Sequence, residues 1–154
     1  MIHIQFDETF AQFDTAGFRE KLQSAAEAVL RFTGTSPCVE LSIVITSNEQ
    51  IRILNRQYRG IDAATDVLSF PAEEIDPETG NAYLGDILIA YPYASDQAAA
   101  EGHSIDNEMQ LLVVHGTLHL LGYDHVQDSD RQQMWQTQAE ILKDLGNPNG
   151  TIPA

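Results

Sequence analysis

The sequence is poor in cysteine, in basic residues and in long apolar runs, and each shortage excludes a class of protein. Cys38 is the only cysteine among 154 residues, so no disulfide can form within the chain and a secreted disulfide scaffold is excluded. No stretch is apolar enough to span a membrane, and the first ten residues contain neither lysine nor arginine. We therefore expect a cytoplasmic protein with no signal peptide and no membrane partner.

Basic residues are outnumbered by acidic ones. The chain has 8 Lys and Arg residues against 23 Asp and Glu residues, which gives a net charge of −15 at pH 7. A field of this sign repels nucleic acid at long range. We therefore expect no DNA partner, and an RNA site would depend on a few local groups.

Size and composition predict one folded domain over residues 1–154. Hydrophobic residues make up 43% of the chain and charged residues 20%, values typical of globular proteins. At this length folding hides roughly two-thirds of the surface of the extended chain. No repeat, linker or low-complexity segment divides the sequence.

Apolar periodicity predicts strand, helix, strand, helix, strand, strand and then three helices. This order is typical of an α+β fold, and a mixed, mostly parallel four-stranded sheet packed with helices is the expected architecture. In the first strand His3 should point away from the core and be solvated. Pro71 should stop the third strand because it cannot donate to a sheet ladder. In the second helix Tyr58 should belong to the buried face.

The segment VVHGTLHLLGYDH, residues 113–125, carries the clearest chemical signal. His115 and His119 are four apart on the most apolar predicted helix, so both imidazoles project from one face. Gly122 can end the helix and return the chain, which presents His125 to the same point. Three imidazoles with one open position are typical of catalytic zinc.

Unrelated surface histidines are the alternative explanation. Three of the five histidines in the chain fall within one stretch of eleven residues, which begins in the most apolar predicted helix. Unpaired polar groups are costly to bury there. Metal ligation accounts for that clustering better. The expected cofactor is one Zn²⁺ per chain, although three imidazoles also suit other divalent transition metals.

The spacing HxxxHxxGxxH matches the metzincin zinc peptidases except at one position. Peptidases carry a glutamate base directly after the first histidine, whereas this chain has Gly116. Glycine cannot abstract a proton from water, so a different reaction is expected on a metzincin-like metal helix. We also expect a side chain at Gly116 to enter the space beside the metal.

Two further segments accompany this motif, namely YRGIDAATDVLSFP at 58–71 and LGDILIA at 84–90. Together the three segments resemble the bacterial YbeY family of endoribonucleases over nearly the whole chain. The resemblance implies a metal-dependent, single-strand-specific endoribonuclease that acts in small-subunit (16S) rRNA 3′-end maturation and ribosome quality control. It also implies a mixed sheet beside the metal helix, and single-stranded rRNA and the ribosomal small subunit or its proteins as partners.

The resemblance assigns the metal to His115, His119 and His125 and a functional role to Arg59. The family often has lysines and a proline between the glycine and the TDVLSFP run, where this chain carries Ile61, Ala63 and Ala64. That difference weakens the case for a basic RNA-binding track in this loop.

Arg59 also belongs to a set that follows helical spacing with Arg52 and Arg56. Surface solubility explains the other two as well as phosphate binding does. Arg59 lies at the helix end, where its planar fork is better placed to reach a phosphate.

The sequence does not decide the roles of two aspartates. Asp86 could act as a base in the cleft or have a structural role, which we favour slightly. Asp124 could orient a metal ligand or be an ordinary turn residue.

Three functions are compatible with these residues. The leading one is phosphodiester cleavage in single-stranded RNA by water or by the 2′-hydroxyl. The alternatives are a metallohydrolase acting on peptide or amide bonds and a non-catalytic ribosome-assembly factor.

Overall fold

The fold is that of a single α+β unit in a computed structural model that describes residues 1–147. The elements in chain order are β1 (Ile2–Phe6), a 3-10 helix (Glu8–Phe13), α1 (Ala16–Phe32), β2 (Val39–Thr46), α2 (Asn48–Arg59), β3 (Val67–Ile75), β4 (Ala82–Ala90), α3 (Tyr91–Glu101), α4 (Ile105–Leu120) and α5 (Asp128–Asp144). The predicted order of strands and longer helices is confirmed. The 3-10 helix was not predicted, because its six residues give no clear period.

The sheet has four strands in the order β1-β2-β4-β3. Strands β1 and β2 pair in parallel, as do β2 and β4, while β3 runs antiparallel to β4. The predicted mixed, mostly parallel sheet is confirmed. Its antiparallel strand β3 occupies one edge.

The prediction that Pro71 stops β3 was wrong. The strand continues to Ile75 through a register shift between Pro71 and Glu74. Opposite the shift Gly85 has φ 135°, and a Cβ there would collide with the carbonyl oxygen of Phe70. An edge strand tolerates proline because its outward backbone groups need no partner strand, and the glycine allows the close approach.

The main core lies between the sheet and the helices α1 and α4. Helix α4 is apolar nearly all round, and its residues from Glu108 to Leu118 are all buried. It begins at Ile105, where the Ser104 side chain caps it by accepting from the backbone N–H of Asn107 at 3.1 Å. Among residues 1–147 no helix combines the length and apolar character needed to cross a membrane.

The opposite face of the sheet is covered partly by α2 and partly by polar contacts. Buried Ile51 of α2 packs with Leu68 of β3 and Ala90 at the end of β4. Farther along this face the buried carboxylate of Glu40 accepts a hydrogen bond from Thr79 and lies 2.8 Å from Nε2 of His3. The prediction that His3 is merely solvated was therefore incomplete. The Thr79 hydroxyl and then His3 lower the pKa of Glu40 to about 2.

Candidate metal centre and its cleft

Three histidine side chains meet at the end of α4. One nitrogen from each of His115, His119 and His125 lies within 4.8 Å of the corresponding nitrogen of the other two. The two helix residues are one turn apart, and Gly122 with φ 97° then reverses the chain. The backbone N–H of Tyr123 donates to the Leu118 carbonyl at 3.0 Å, which holds the reversal against the helix. His125 is thereby brought back to the two helical rings.

The geometry of these rings fits a transition-metal ion. Nε2 of His115 and Nε2 of His119 are 3.1 Å apart. Two nitrogens that bind one tetrahedral zinc at about 2.0–2.1 Å lie about 3.3 Å from each other. Three nitrogen donors with no thiolate suit zinc and its divalent neighbours and leave a coordination position for a substrate.

Burial keeps the His119 ring in its metal-binding protonation state. The pKa of His119 is lowered to about 4, first by desolvation and then by the neighbouring rings of His115 and His125. A ring with this pKa is neutral at physiological pH. Neutral imidazole is the form that donates a lone pair to a metal.

Gln138 of α5 orients one of the three rings. Its side-chain oxygen lies 2.9 Å from Nδ1 of His115, and both residues are buried. An amide oxygen only accepts, so Nδ1 carries the proton and Nε2 keeps its lone pair toward the other histidines. This contact was not predicted, because glutamine is common on helix surfaces and Gln138 lies twenty-three residues from His115 in the sequence.

We expect Gln138→Leu to weaken metal binding roughly 10- to 100-fold, the usual cost of losing a partner of a ligand ring. Leucine preserves the buried volume but cannot accept the Nδ1 proton. Affinity is measured by competition with a chelator of known zinc affinity. Gln138→Glu keeps an acceptor and should retain most of the affinity, so equal losses in both variants would contradict the orienting role.

The three histidines open onto a cleft of about 560 Å³. Its lining comes from the end of α2, from β3, from α4 and from the segment after α4. The lining residues are Tyr58, Arg59, Val67, Leu68, Ser69, Phe70, Pro71, His115, His119, Gly122, Tyr123, Asp124, His125 and Val126. One arginine and three histidines thus face a surface that is otherwise mostly apolar and aromatic.

The three arginines of α2 have different surroundings in the structure. Arg52 pairs with Glu49 at 3.0 Å and with Asp62 at 2.9 Å, which occupies its guanidinium. Arg56 is exposed and does not line the cleft. Arg59 lines it and, within residues 1–147, makes no ion pair within 4.0 Å. Of the predicted stripe, only Arg59 is positioned to meet a ligand near the histidines.

The two aspartates left open by the sequence have local partners. Asp124 accepts from the backbone N–H of His125 at 2.7 Å, the contact of a turn residue. Asp86 lies outside the cleft and accepts from the Tyr83 hydroxyl, whose pKa burial and Asp86 raise to about 12. Both contacts favour structural roles, and of the two aspartates only Asp124 lines the cleft with the histidines.

Gly116 lies where α4 approaches the sheet closely. A Cβ at this position would lie 2.8 Å from Cγ2 of Ile87 and 3.2 Å from the hydroxyl oxygen of Ser69. A side chain here would first meet these two residues of the sheet, and the expectation that it reaches the space beside the metal stays a prediction. Ser69 also donates to the Gly116 carbonyl at 3.2 Å and lines the cleft, a contact the sequence did not indicate.

A family model and two relatives that match this chain carry the same name. The family model described as Endoribonuclease YbeY matches residues 3–146. A relative of that name from Desulforamulus reducens is 46% identical over 129 residues, covering 81% of this chain and 84% of the relative. Another from Halalkalibacterium halodurans is 40% identical over 151 residues, covering 93% of both chains.

A solved structure extends the likeness to the fold. The solution structure of TM1509 from Thermotoga maritima superimposes with a TM-score of 0.56 at 26% identity. The match covers 97% of this chain and 95% of that one. Sequence and fold agree across nearly the full length, and the chain belongs to the Endoribonuclease YbeY family.

Proposed function

We propose that this protein is a metal-dependent, single-strand-specific endoribonuclease that acts in 3′-end maturation of 16S rRNA and in ribosome quality control. One observation carries the proposal: three convergent histidines open onto a cleft that Arg59 also lines. A transition metal beside a guanidinium is a pairing suited to a phosphodiester. The name of the relatives supports RNA as the substrate.

In this proposal His115, His119 and His125 hold one Zn²⁺ per chain, or another divalent transition metal. When bound, such an ion supplies a Lewis acid that withdraws electron density from a phosphate oxygen. The two helical ligands are fixed by α4, and His115 is held further by Gln138. The domain of residues 1–154 therefore needs no separate module to build the centre.

Arg59 is the second part of the proposed active site. Its guanidinium presents N–H donors in a planar fork that matches two oxygens of one phosphate. Because α2 ends at Arg59 and Gly60 turns the chain away in a left-handed conformation, the side chain lies at the mouth of the cleft. There it would hold the phosphate and stabilise the negative charge that develops on its oxygens.

The nucleophile is water or the RNA 2′-hydroxyl, and the product ends distinguish them. Mass spectrometry of fragments from a defined single-stranded RNA gives the answer. A uniform 2′,3′-cyclic phosphate would exclude direct attack by water. A 5′-phosphate with a free 2′,3′-diol would exclude the 2′-hydroxyl.

Arg59→Lys should lower kcat/KM on single-stranded RNA roughly tenfold or more, because an ammonium keeps the charge but cannot bind two oxygens at once. Metal content and thermal stability should stay at the level of the parent. Arg56→Lys makes the same change one turn away, outside the cleft, and should be neutral. Equal activity of the two variants would remove Arg59 from the active site.

Peptide hydrolysis is the second candidate, favoured by the spacing HxxxHxxGxxH. Against it, Gly116 supplies no base and faces the sheet. The parent should show no metal-dependent cleavage of casein or peptide libraries. Robust proteolysis that disappears when the metal is removed would replace the nuclease proposal.

The proposed setting is the cytoplasm, on the small ribosomal subunit or one of its proteins. A net charge of −15 opposes RNA binding over distances of about a Debye length, roughly 8 Å at physiological salt. Close contacts at the histidines and Arg59 must therefore hold the RNA, and a protein contact would help to position it. Free RNA should bind weakly, while a pre-small-subunit particle should bind more tightly.

A further inference from the structure

Tyr58 lies on the surface, although its helical spacing predicted a buried residue. The residue is 63% exposed, the highest value among the exposed aromatic residues of the range 1–147. Its ring meets the ring of Phe70 edge-on, with centroids 5.2 Å apart and an interplanar angle of 66°. Phe70 is only partly buried, so the two rings form an exposed aromatic pair between the end of α2 and β3.

This aromatic pair belongs to the wall of the metal cleft. Tyr58 and Phe70 both line it, together with the three histidines. Tyr58 is the direct neighbour of Arg59 in the last turn of α2. A ring and a guanidinium fork are thus offered to the same cleft from one helix end.

The charge of the cleft differs from that of the molecule. The chain has 23 acidic residues, but Asp124 is the only carboxylate among the cleft-lining residues. Its carboxylate is already engaged by the backbone of His125. The cleft therefore offers a polyanion the Arg59 guanidinium and apolar groups, with a single carboxylate in its lining.

We propose that Tyr58, supported edge-on by Phe70, is a stacking platform for one unpaired base of the RNA, adjacent to the phosphate that Arg59 holds. The inference rests on the proposed nuclease function and assigns it a base-binding subsite. Aromatic side chains stack on any base because each base has a π face, so the platform carries little sequence preference. A base inside a duplex is already stacked on both faces, so the platform favours single strands.

The test pairs a protein variant with an RNA variant. A short single-stranded RNA is made uncleavable with 2′-O-methyl sugars and phosphorothioate linkages, and an abasic residue is moved through it one position at a time. Binding to the metal-loaded protein is followed by fluorescence anisotropy. Tyr58→Ala removes the ring, Tyr58→Phe keeps it without the hydroxyl, and Tyr93→Ala is a matched tyrosine deletion outside the cleft.

In the parent and in Tyr58→Phe, one abasic position should weaken binding about five- to a hundredfold, the range for loss of one stacked base. Tyr58→Ala should weaken binding of the intact RNA by a similar factor and should abolish the effect of that abasic position. Tyr93→Ala should behave as the parent. Additive losses, or an unchanged abasic profile in Tyr58→Ala, would overturn the platform.

Failure of the nuclease proposal is visible separately. If the parent does not cleave the matching unmodified RNA, the proposed function is wrong whatever the binding data show. If cleavage persists in a Tyr58→Ala protein whose abasic profile equals that of the parent, only the stacking platform is wrong. The two results come from different oligonucleotides and do not depend on each other.

Discussion

His119→Gln should reduce metal content from near one ion per chain to a small fraction of that value and should abolish RNA cleavage. Removal of a direct ligand costs more than removal of a residue behind one, so the loss of affinity should exceed roughly a hundredfold. The centroids of the three rings form a triangle with sides of 4.6, 5.1 and 5.6 Å, and His119 is one of its corners. Elemental analysis of the purified protein measures the metal content, and chelator competition measures the metal affinity.

His3→Gln is the matched control, because it makes the same exchange on β1, far from the metal ligands in the fold. It should keep the metal and the RNA cleavage of the parent. Circular dichroism should show that both variants are folded. Full metal occupancy in folded His119→Gln would contradict the three-histidine site, and loss of metal in His3→Gln would show that the assay reports stability and not ligation.

Gly116→Glu should destabilise the protein by roughly 3 kcal/mol or more, because a side chain is forced into a packed contact and a carboxylate into an apolar layer. Ile87 lies 2.8 Å from the position of the new Cβ and belongs to the central strand pair, so α4 must shift away from the sheet. For a chain of this size the melting temperature should fall by about 6–12 °C. Thermal unfolding followed by circular dichroism measures the shift.

Gly17→Glu provides the control for this substitution. Gly17 lies in the first turn of α1, and a Cβ there meets nothing within 4 Å. Glutamate favours helix more than glycine does and interacts well with a helix N-terminus, so stability should be unchanged or slightly higher. A Gly116→Glu protein as stable as Gly17→Glu would mean that α4 does not pack on β4 as closely as described.

The ligand cluster was readable from the sequence because it is local. His115 and His119 are related by helix geometry alone, and a glycine stop is enough to return His125. The order of strands and helices along the chain also followed from periodicity, and that order favoured a mixed sheet. These features depend on neighbours within a few residues along the chain.

Features that depend on contacts between segments far apart in the sequence could not be predicted. Tyr58 has the spacing of a buried residue, but α2 extends beyond the part of the sheet that covers Ile51, so its last turn lies at the cleft. Pro71 continues a strand only because Gly85 on β4 allows a bulge. Gln138 meets His115 only after α5 packs on α4, and the direction in which Gly116 faces depends on the same packing of α4 against the sheet.

His125 differs from the other two proposed ligands in the rigidity of its support. His115 and His119 belong to a buried helix, whereas residues 121–127 have no regular secondary structure. A few hydrogen bonds hold this segment, among them the contact from Nε of Arg131 to the His125 carbonyl at 3.2 Å. An ion bound by all three rings would tie the segment to the helix as a cross-link. The affinity for such an ion would then include the free energy of closing this segment, and local opening of residues 121–127 would be a route by which the ion leaves without global unfolding.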